Sequence, residues 1–361
     1  MAIMKSTQLI PDQIVESVDR LSDEANRLLG LFASPRTLDT DEELTLRMRL
    51  TGWRPNDRVS AGGTCRLVRT ADETWLAINL ARPEDVEALP AVFGCDESFD
   101  AHGDFWNVVE RLVAERAADV VLENAIAFGL AVARVGESKP LSIREEPSRD
   151  ERASEAKGFD PAELTVVDLS SLWAGPLVGR LLSDLGCRVV KVESAHRPDG
   201  ARHGHPEFFH HLNAMKESVV LDFRSEAGRA ELRRMIEGAD VVIEASRPRA
   251  LEQLGIERRR VITNGSVRVW LSITAHGSMG EAARRVGFGD DAAAAGGLLT
   301  DGADGPRFIG DAVADPITGI IGFVSTMHAL LDGRRGIIDV SLAGSAALVA
   351  RGLDANRIVS R

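Results

Sequence analysis

The chain has 361 residues, 44% of them hydrophobic and 27% charged, and a formal net charge of −12. That length can bury two cores, and that balance is the balance of a soluble globular protein. The acidic total argues against a nucleic-acid partner, which would meet a basic face, but leaves room for a local basic pocket that holds phosphates.

Cys65, Cys95 and Cys187 are far apart and form no Cys-x-x-Cys pair. They give no zinc or disulfide signal and fit a reducing cytoplasm. The N-terminus lacks the apolar core of a signal peptide, and no apolar stretch of the sequence reads as membrane-spanning. A cytoplasmic protein with no membrane partner and no metal is therefore expected. The chain has no tyrosine, which removes one common acid/base group.

In chain order, Leu21–Leu31 and Val108–Ala117 have helical spacing, and Cys65–Arg69 and Thr74–Leu80 read as strands around the turn at 70–73. Ahead of the first strand lies the small-residue loop Ser60-Ala-Gly-Gly-Thr64, with Gly62 and Gly63 at its centre. Its N–H groups can line an oxyanion, or the loop is an ordinary turn. Residues 1–145 are thus expected to form a smaller α+β domain. The polar segment 146–162 reads as a linker, and 163–361 as a large α/β domain.

Beyond the linker the pattern is regular. Strands are expected at Val166–Ser170, Arg188–Glu193, Val219–Phe223, Val241–Glu244 and Val267–Ile273. Helices are expected at Gly175–Leu185, from a Ser225 cap to Ala239, and near Arg249–Val261. Alternating strands and helices imply a parallel sheet covered on both faces, with ligands at the C-terminal ends of its strands.

Four features have candidate chemistry. In the turn Trp173-Ala-Gly-Pro176, Gly175 admits a close neighbour, and the free N–H groups of the next helix can hold a phosphate. No Gly-x-Gly-x-x-Gly is present, so no dinucleotide motif supports the fold. Asp315-Pro316 reads either as a helix cap or as a carboxylate nucleophile with space beside it at Gly319, and Asp311 is a nearby competitor. His203, His205, His210 and His211 are dense enough to suggest metal, but nothing completes a ligand spacing and Pro206 breaks any helix that would align them, so they read as a polar loop. Lys191, Arg197, Arg202, Lys216, Arg224 and Arg247 fall in or just beyond strand ends, as a phosphate-binding cluster or as solvated surface charges.

The stretches Val167-Asp-Leu-Ser170, Ala174-Gly-Pro176, Leu182-Ser-Asp-Leu-Gly186, Val190-Lys-Val-Glu193, Val220-Leu-Asp-Phe-Arg224, Asp240-Val-Val-Ile-Glu244 and Ile338-Asp-Val-Ser-Leu342 occur in one order. In that order they resemble the family III CoA-transferases. The resemblance implies an α/β fold, with a large Rossmann-like parallel-sheet domain plus a smaller α+β domain. It implies CoA, as acyl-CoA, exchanging with a carboxylic acid partner, and a homodimer, interlocked in this family. Asp315 matches the aspartate that carries the acyl group and then CoA. Gly62 and Gly63 resemble the loop that shields the thioester. Trp173, Ala174, Ser194, Asp222, Arg224, Ser246 and Arg247 match positions that contact CoA, with Arg197, Arg202 and Lys216 as added phosphate contacts. Gly287 and Phe288 match the acyl-site lining.

There are departures. Ser194 and Gln253 stand where arginine is frequent, Phe288 stands where the family's racemases have histidine, and Gly289 stands where a carboxylate is common. The small-domain-like part comes first, as in a circularly permuted or rearranged member or half of a split tandem enzyme. An acyl-CoA racemase or isomerase and a non-catalytic CoA-binding subunit are the alternatives.

Overall fold

The computed structural model describes residues 10–97, 99, 105–141, 144–147, 159–246 and 249–353. Helix α1 (Asp12–Leu31) extends the expected helix backwards, because Val15, Val18, Leu21, Ala25, Leu28 and Leu29 keep one apolar face throughout. Helix α2 (Thr40–Thr51), absent from the sequence expectations, starts at Asp39, whose carboxylate accepts the Glu42 N–H (2.8 Å). Then come β1 (Cys65–Arg69) and β2 (Trp75–Asn79), paired antiparallel as expected. The short helices α3 (Pro83–Glu87) and α4 (Leu89–Phe93) follow, then α5 (Phe105–Ala114) and α6 (Ala118–Ala127). Strand β3 (Ala131–Arg134) pairs antiparallel with β2 and completes a three-stranded sheet with its own apolar cluster around Trp106, Val109 and Leu112.

The expected linker is not wholly a linker. Strand β4 (Arg144–Pro147) joins the edge of the large sheet, where backbone pairing needs no apolar side chain. The large sheet continues through β5 (Thr165–Asp168), α7 (Ala174–Asp184), β6 (Arg188–Ser194), α8 (Pro206–Asn213), β7 (Glu217–Leu221), α9 (Glu226–Glu237) and β8 (Val241–Glu244). Pro206 does not break a helix but starts α8, at the first position, where its missing N–H costs nothing. The single helix expected near Arg249–Val261 is two, α10 (Arg249–Gln253) and α11 (Arg258–Asn264), separated where Ile256 N–H turns back to the Leu251 carbonyl. Strand β9 (Val269–Thr274), α12 (Gly289–Gly296), the hairpin β10 (Thr300–Gly302) and β11 (Gly305–Arg307), α13 (Ala314–Leu331), β12 (Gly336–Ser341) and α14 (Leu342–Ala350) complete the chain.

The sheet order is β4-β12-β9-β8-β5-β6-β7, with β4 antiparallel and the other six parallel. The α/β fold with a smaller sheet is thus as expected. Connections leave β5 towards β6 on one side, and β8 resumes on the other, so α7 begins at the topological switch point. Helix α13 is apolar all round and long enough to cross a membrane by length and composition, but it is 83% buried inside the protein. Its isoleucines, Phe323 and Met327 lie in one cluster with α1, α7 and α14, each such side chain contributing about 1.5–3 kcal/mol on burial. Helices α1 and α2 therefore join the large sheet's core rather than the hairpin's. Helix α12 joins the two sheets: Ala294 shares an apolar cluster with Cys65, Leu67 and Ala77, while Gly296 lies against Ala346 of α14.

Candidate active site

The chain reaches Asp315 through a tight turn. Ala312 sits in the left-handed region (φ 46°), uncommon for a residue with a side chain. Its N–H donates to Asp290 Oδ1 (2.9 Å), and its carbonyl accepts the Asp315 N–H (2.9 Å). These bonds hold the strained turn. Helix α13 starts two residues earlier than a cap reading of Asp315 requires: Val313 is the N-cap and Asp315 lies in the first turn, partly exposed among buried neighbours. Across from it is Gly289. A Cβ at Gly289 would overlap Asp315 Oδ2 and lie 2.6 Å from Ala312 Cβ. The carboxylate common at this position in the family has no room here. Gly319, one turn on, is filled rather than open: a Cβ there would lie 2.8 Å from the Ala174 carbonyl and from Leu177 Cδ2, so it sets the approach of α13 to α7.

Three more carboxylates surround Asp315. Asp311, fully buried, is gripped by both nitrogens of the Arg47 fork, at 2.7 and 2.5 Å. Asp290 accepts from Ala312 and from the Ser60 hydroxyl. Asp291 Oδ1 accepts from Asn79 Nδ2 and from the Phe288 N–H, both at 2.9 Å. Burial pushes the Asp315 carboxyl up to about 7, with Arg47 pulling down and Asp290, Asp291 and Asp311 pushing further up. Burial, reinforced by Asp311, brings Asp290 to about 6, and burial brings Asp291 to about 7. The Cys65 thiol below them is pushed up by burial and by Asp291 and Asp290, which leaves it inert.

Arg47 comes from α2 and was not among the residues expected from sequence. Its guanidinium lies 5.9 Å from the Trp53 ring centre, 5.1 Å from Trp173 and 5.8 Å from Phe208. The Trp173 ring is buried edge-on to Phe208 and braces Arg47. Ala174 is buried at the start of α7, and the close neighbour that Gly175 admits is the Ser170 side chain.

The glycine loop reaches the same cluster. Ser60 N–H donates to the Cys65 carbonyl, and Ser60 Oγ accepts the Cys65 N–H while bonding Asp290. Gly62 lies 3.6 Å from the Trp53 ring, measured from a built Cβ. Gly63 (φ 77°) donates its N–H to the Ser60 carbonyl (2.8 Å), so one of the two amides expected at an oxyanion is spent in the turn.

The remaining expected residues lie along the C-terminal ends of β6, β7 and β8. Ser194 begins a turn closed by the Arg197 N–H, and the Arg197 side chain is exposed. Asp222 accepts from the Arg224 N–H (2.9 Å) and bonds His196 Nε2 (3.1 Å), a histidine that sequence reasoning passed over beside Ser194. Ser246 donates to Glu244, and Arg247 lies outside the described residues. Two expected phosphate contacts are otherwise engaged. Lys216 is buried on Asp168 (2.8 Å), the Pro176 carbonyl and Asn213, and Arg202 forks onto Glu193 over the Phe209 ring. Lys191, likewise, is buried on Asp199 (2.8 Å) and the Ser170 carbonyl. The ends of the turn after β5 are therefore built on buried ion pairs rather than open to phosphate. Phe288 heads α12 with Arg82 over its ring at 5.8 Å. Among the described residues no group of ligands suits a metal, and the histidines of α8 and its approach do not converge. Two surface cavities, about 350 Å³ beside Arg58, Arg66 and Trp75 and about 390 Å³ beside Arg258 and Met279, include none of the expected residues.

Comparison with known proteins converges on one family. The model of CoA-transferase family III matches residues 162–354. A succinate–glutarate CoA-transferase of Agrobacterium fabrum is 30% identical over 217 residues, covering 55% of this chain and 54% of its own. A probable fatty acyl-CoA transferase of Mycobacterium tuberculosis is 32% identical over 208 residues, covering 54% and 52%. A solved CaiB/BaiF family protein from Brucella suis superposes with a TM-score of 0.50 at 31% identity, over 56% of this chain and 58% of that one. The chain spans about half the length of the curated relatives it matches.

Proposed function

The chain belongs to CoA-transferase family III, and from that premise we propose that it moves CoA between an acyl-CoA thioester and a carboxylic acid, with Asp315 as the covalent carrier. The observation that carries this reading is the placement of Asp315: partly exposed, backed by Gly289, and set among carboxylates of which Asp311 is paired with Arg47.

The Asp315 carboxylate attacks the thioester carbonyl. The C–S bond breaks, CoA leaves as thiolate, and a mixed anhydride forms. The thiolate then attacks the aspartyl carbonyl, releasing the donor acid and leaving an aspartyl-CoA thioester. The acceptor carboxylate attacks that thioester and expels the thiolate, which takes the acyl carbonyl of the second anhydride and regenerates Asp315. Each step exchanges bonds of similar energy, which is the gain from covalent catalysis. The chemistry needs Asp315 ionised, and Arg47 favours that form. The loop at Gly62 covers the site from the Trp53 side and excludes water. The exposed Arg197 and Arg224, with Ser194, Asp222 and Ser246, form the sheet edge that receives the CoA phosphates. A cytoplasmic homodimer completes the proposal, from cysteine usage and family resemblance.

The test is Asp315→Ala. Loss of transfer with a melting temperature no lower than that of the wild type supports the assignment, and substantial turnover in the variant rejects it. The isomerase alternative is weaker because Phe288 presents no proton-transfer group.

A further inference from the structure

The cavity of about 350 Å³ on the three-stranded sheet runs along β1 and includes no residue of the Asp315 cluster. One wall is the turn Asn56–Val59. The Asn56 and Val59 N–H groups each donate to the other residue's carbonyl (2.9 Å), and the Arg58 carbonyl accepts the Leu67 N–H (2.9 Å). Asp57 takes the left-handed conformation (φ 51°), which aspartate tolerates better than most residues. The turn is therefore closed on itself and fastened to β1, and it sets Arg58 over the Trp75 ring, 5.5 Å from its centre. A guanidinium stacked by its face keeps the N–H groups of its edge available to an oxyanion.

The charges around this cavity do not cancel. Arg66 donates to Glu110 (2.9 Å), Arg69 pairs with Glu73, and Asp57 pairs with Arg307 (3.2 Å), so each carboxylate on the wall already has its cation. Arg58 is exposed and has no carboxylate partner among the described residues. Arg66, 4.8 Å from the Trp106 ring centre, keeps a buried Nε with no hydrogen-bond partner among them. The unspent charge is positive, in a chain whose net charge is −12. We propose that this cavity binds a small organic anion, its carboxylate or phosphate head held by the edge of Arg58 with Arg66 beside it. Its volume is at the lower end of the range for small-molecule sites, so it admits more than the head group alone. The proposal does not depend on the transfer reading.

The experiment is fluorine NMR of the full chain labelled with fluorotryptophan, whose five tryptophans are Trp53, Trp75, Trp106, Trp173 and Trp270. Sodium phosphate and sodium acetate are the probes, with sodium chloride at matched ionic strength as the control. The Trp75 signal should move saturably, with a dissociation constant on the order of 1 mM for the better probe. The tighter of the two identifies the head group. Arg58→Gln, at an exposed position, should weaken that binding about tenfold. Glu110→Gln, which releases Arg66, should tighten it about threefold. A Trp75 shift that chloride reproduces shows an adventitious ion only and overturns the proposal. So does the absence of a saturable shift with either probe at about twenty times the expected dissociation constant, or an affinity that Arg58→Gln leaves unchanged.

Discussion

Replacing Arg47 with methionine tests the cluster as an electrostatic unit. In the native protein both Arg47 nitrogens hold a fully buried Asp311, and the arginine side chain is 26% exposed. Breaking a buried pair by removing one partner costs about 3–5 kcal/mol, because the other charge is left uncompensated. The partial exposure of Arg47 puts this case at the lower end, about 3 kcal/mol, or a melting temperature roughly 4 °C lower for a chain of 361 residues. Removing both partners, in Arg47→Met/Asp311→Asn, deletes the orphaned charge and should recover at least half of that loss. The single variant also removes the cation that holds the Asp315 carboxyl down at about 7 against burial and its carboxylate neighbours, so the pH at which transfer reaches half its maximum moves upward. Thermal unfolding of the wild type, both single variants and the double variant gives the coupling energy, and a pH–rate profile gives the midpoint. If Asp311→Asn gives no recovery in the Arg47→Met background, and the midpoint stays in place, Arg47 acts by packing alone and the electrostatic argument fails.

Three further outcomes follow from the geometry. Gly289→Ala puts a methyl group onto Asp315 Oδ2, displaces the proposed nucleophile, and should lower kcat about 100-fold with a smaller change in KM. Gly319→Ala forces α13 away from the Ala174 carbonyl and Leu177 and should cost about 1–3 kcal/mol in urea unfolding, with no shift in the pH–rate midpoint. Asp290, at about 6, and Asp291 and Asp315, at about 7, bind protons in the folded state that the unfolded chain, at about 3.9, has already lost. The stability these groups contribute is full below about pH 4 and is lost as pH rises through 6 to 7. Asp291→Asn should therefore gain stability relative to the wild type between pH 5 and pH 8. An equal difference at both pH values would contradict the raised carboxyl.

The parts of the molecule legible in the sequence are those where burial writes a pattern. The strands at Arg188–Ser194 and Val241–Glu244 are apolar runs between turns, and α7 has an apolar face that ends at Gly186. Asp315 was legible only through family resemblance; its local sequence reads equally well as a cap, and the helix in fact starts one residue before it. Arg47 was not legible. Its helix is mostly polar, and its partner lies 264 positions away, so no periodicity announces the pair. The buried pairing of Lys216 is not legible either, because lysines are usually solvated, whereas here buried Asp168 compensates it. Strand β4 was missed for a related reason: an edge strand is held by backbone pairing, and its charged residues carry no apolar signal.

The most direct test of the central claim is peptide mass spectrometry of the protein mixed with acyl-CoA donors and quenched with hydroxylamine or borohydride. The account predicts donor-dependent modification of Asp315, absent from Asp315→Ala. An unmodified Asp315 peptide across the donor panel, with CoA nonetheless bound, would contradict it and leave a CoA-binding subunit as the reading.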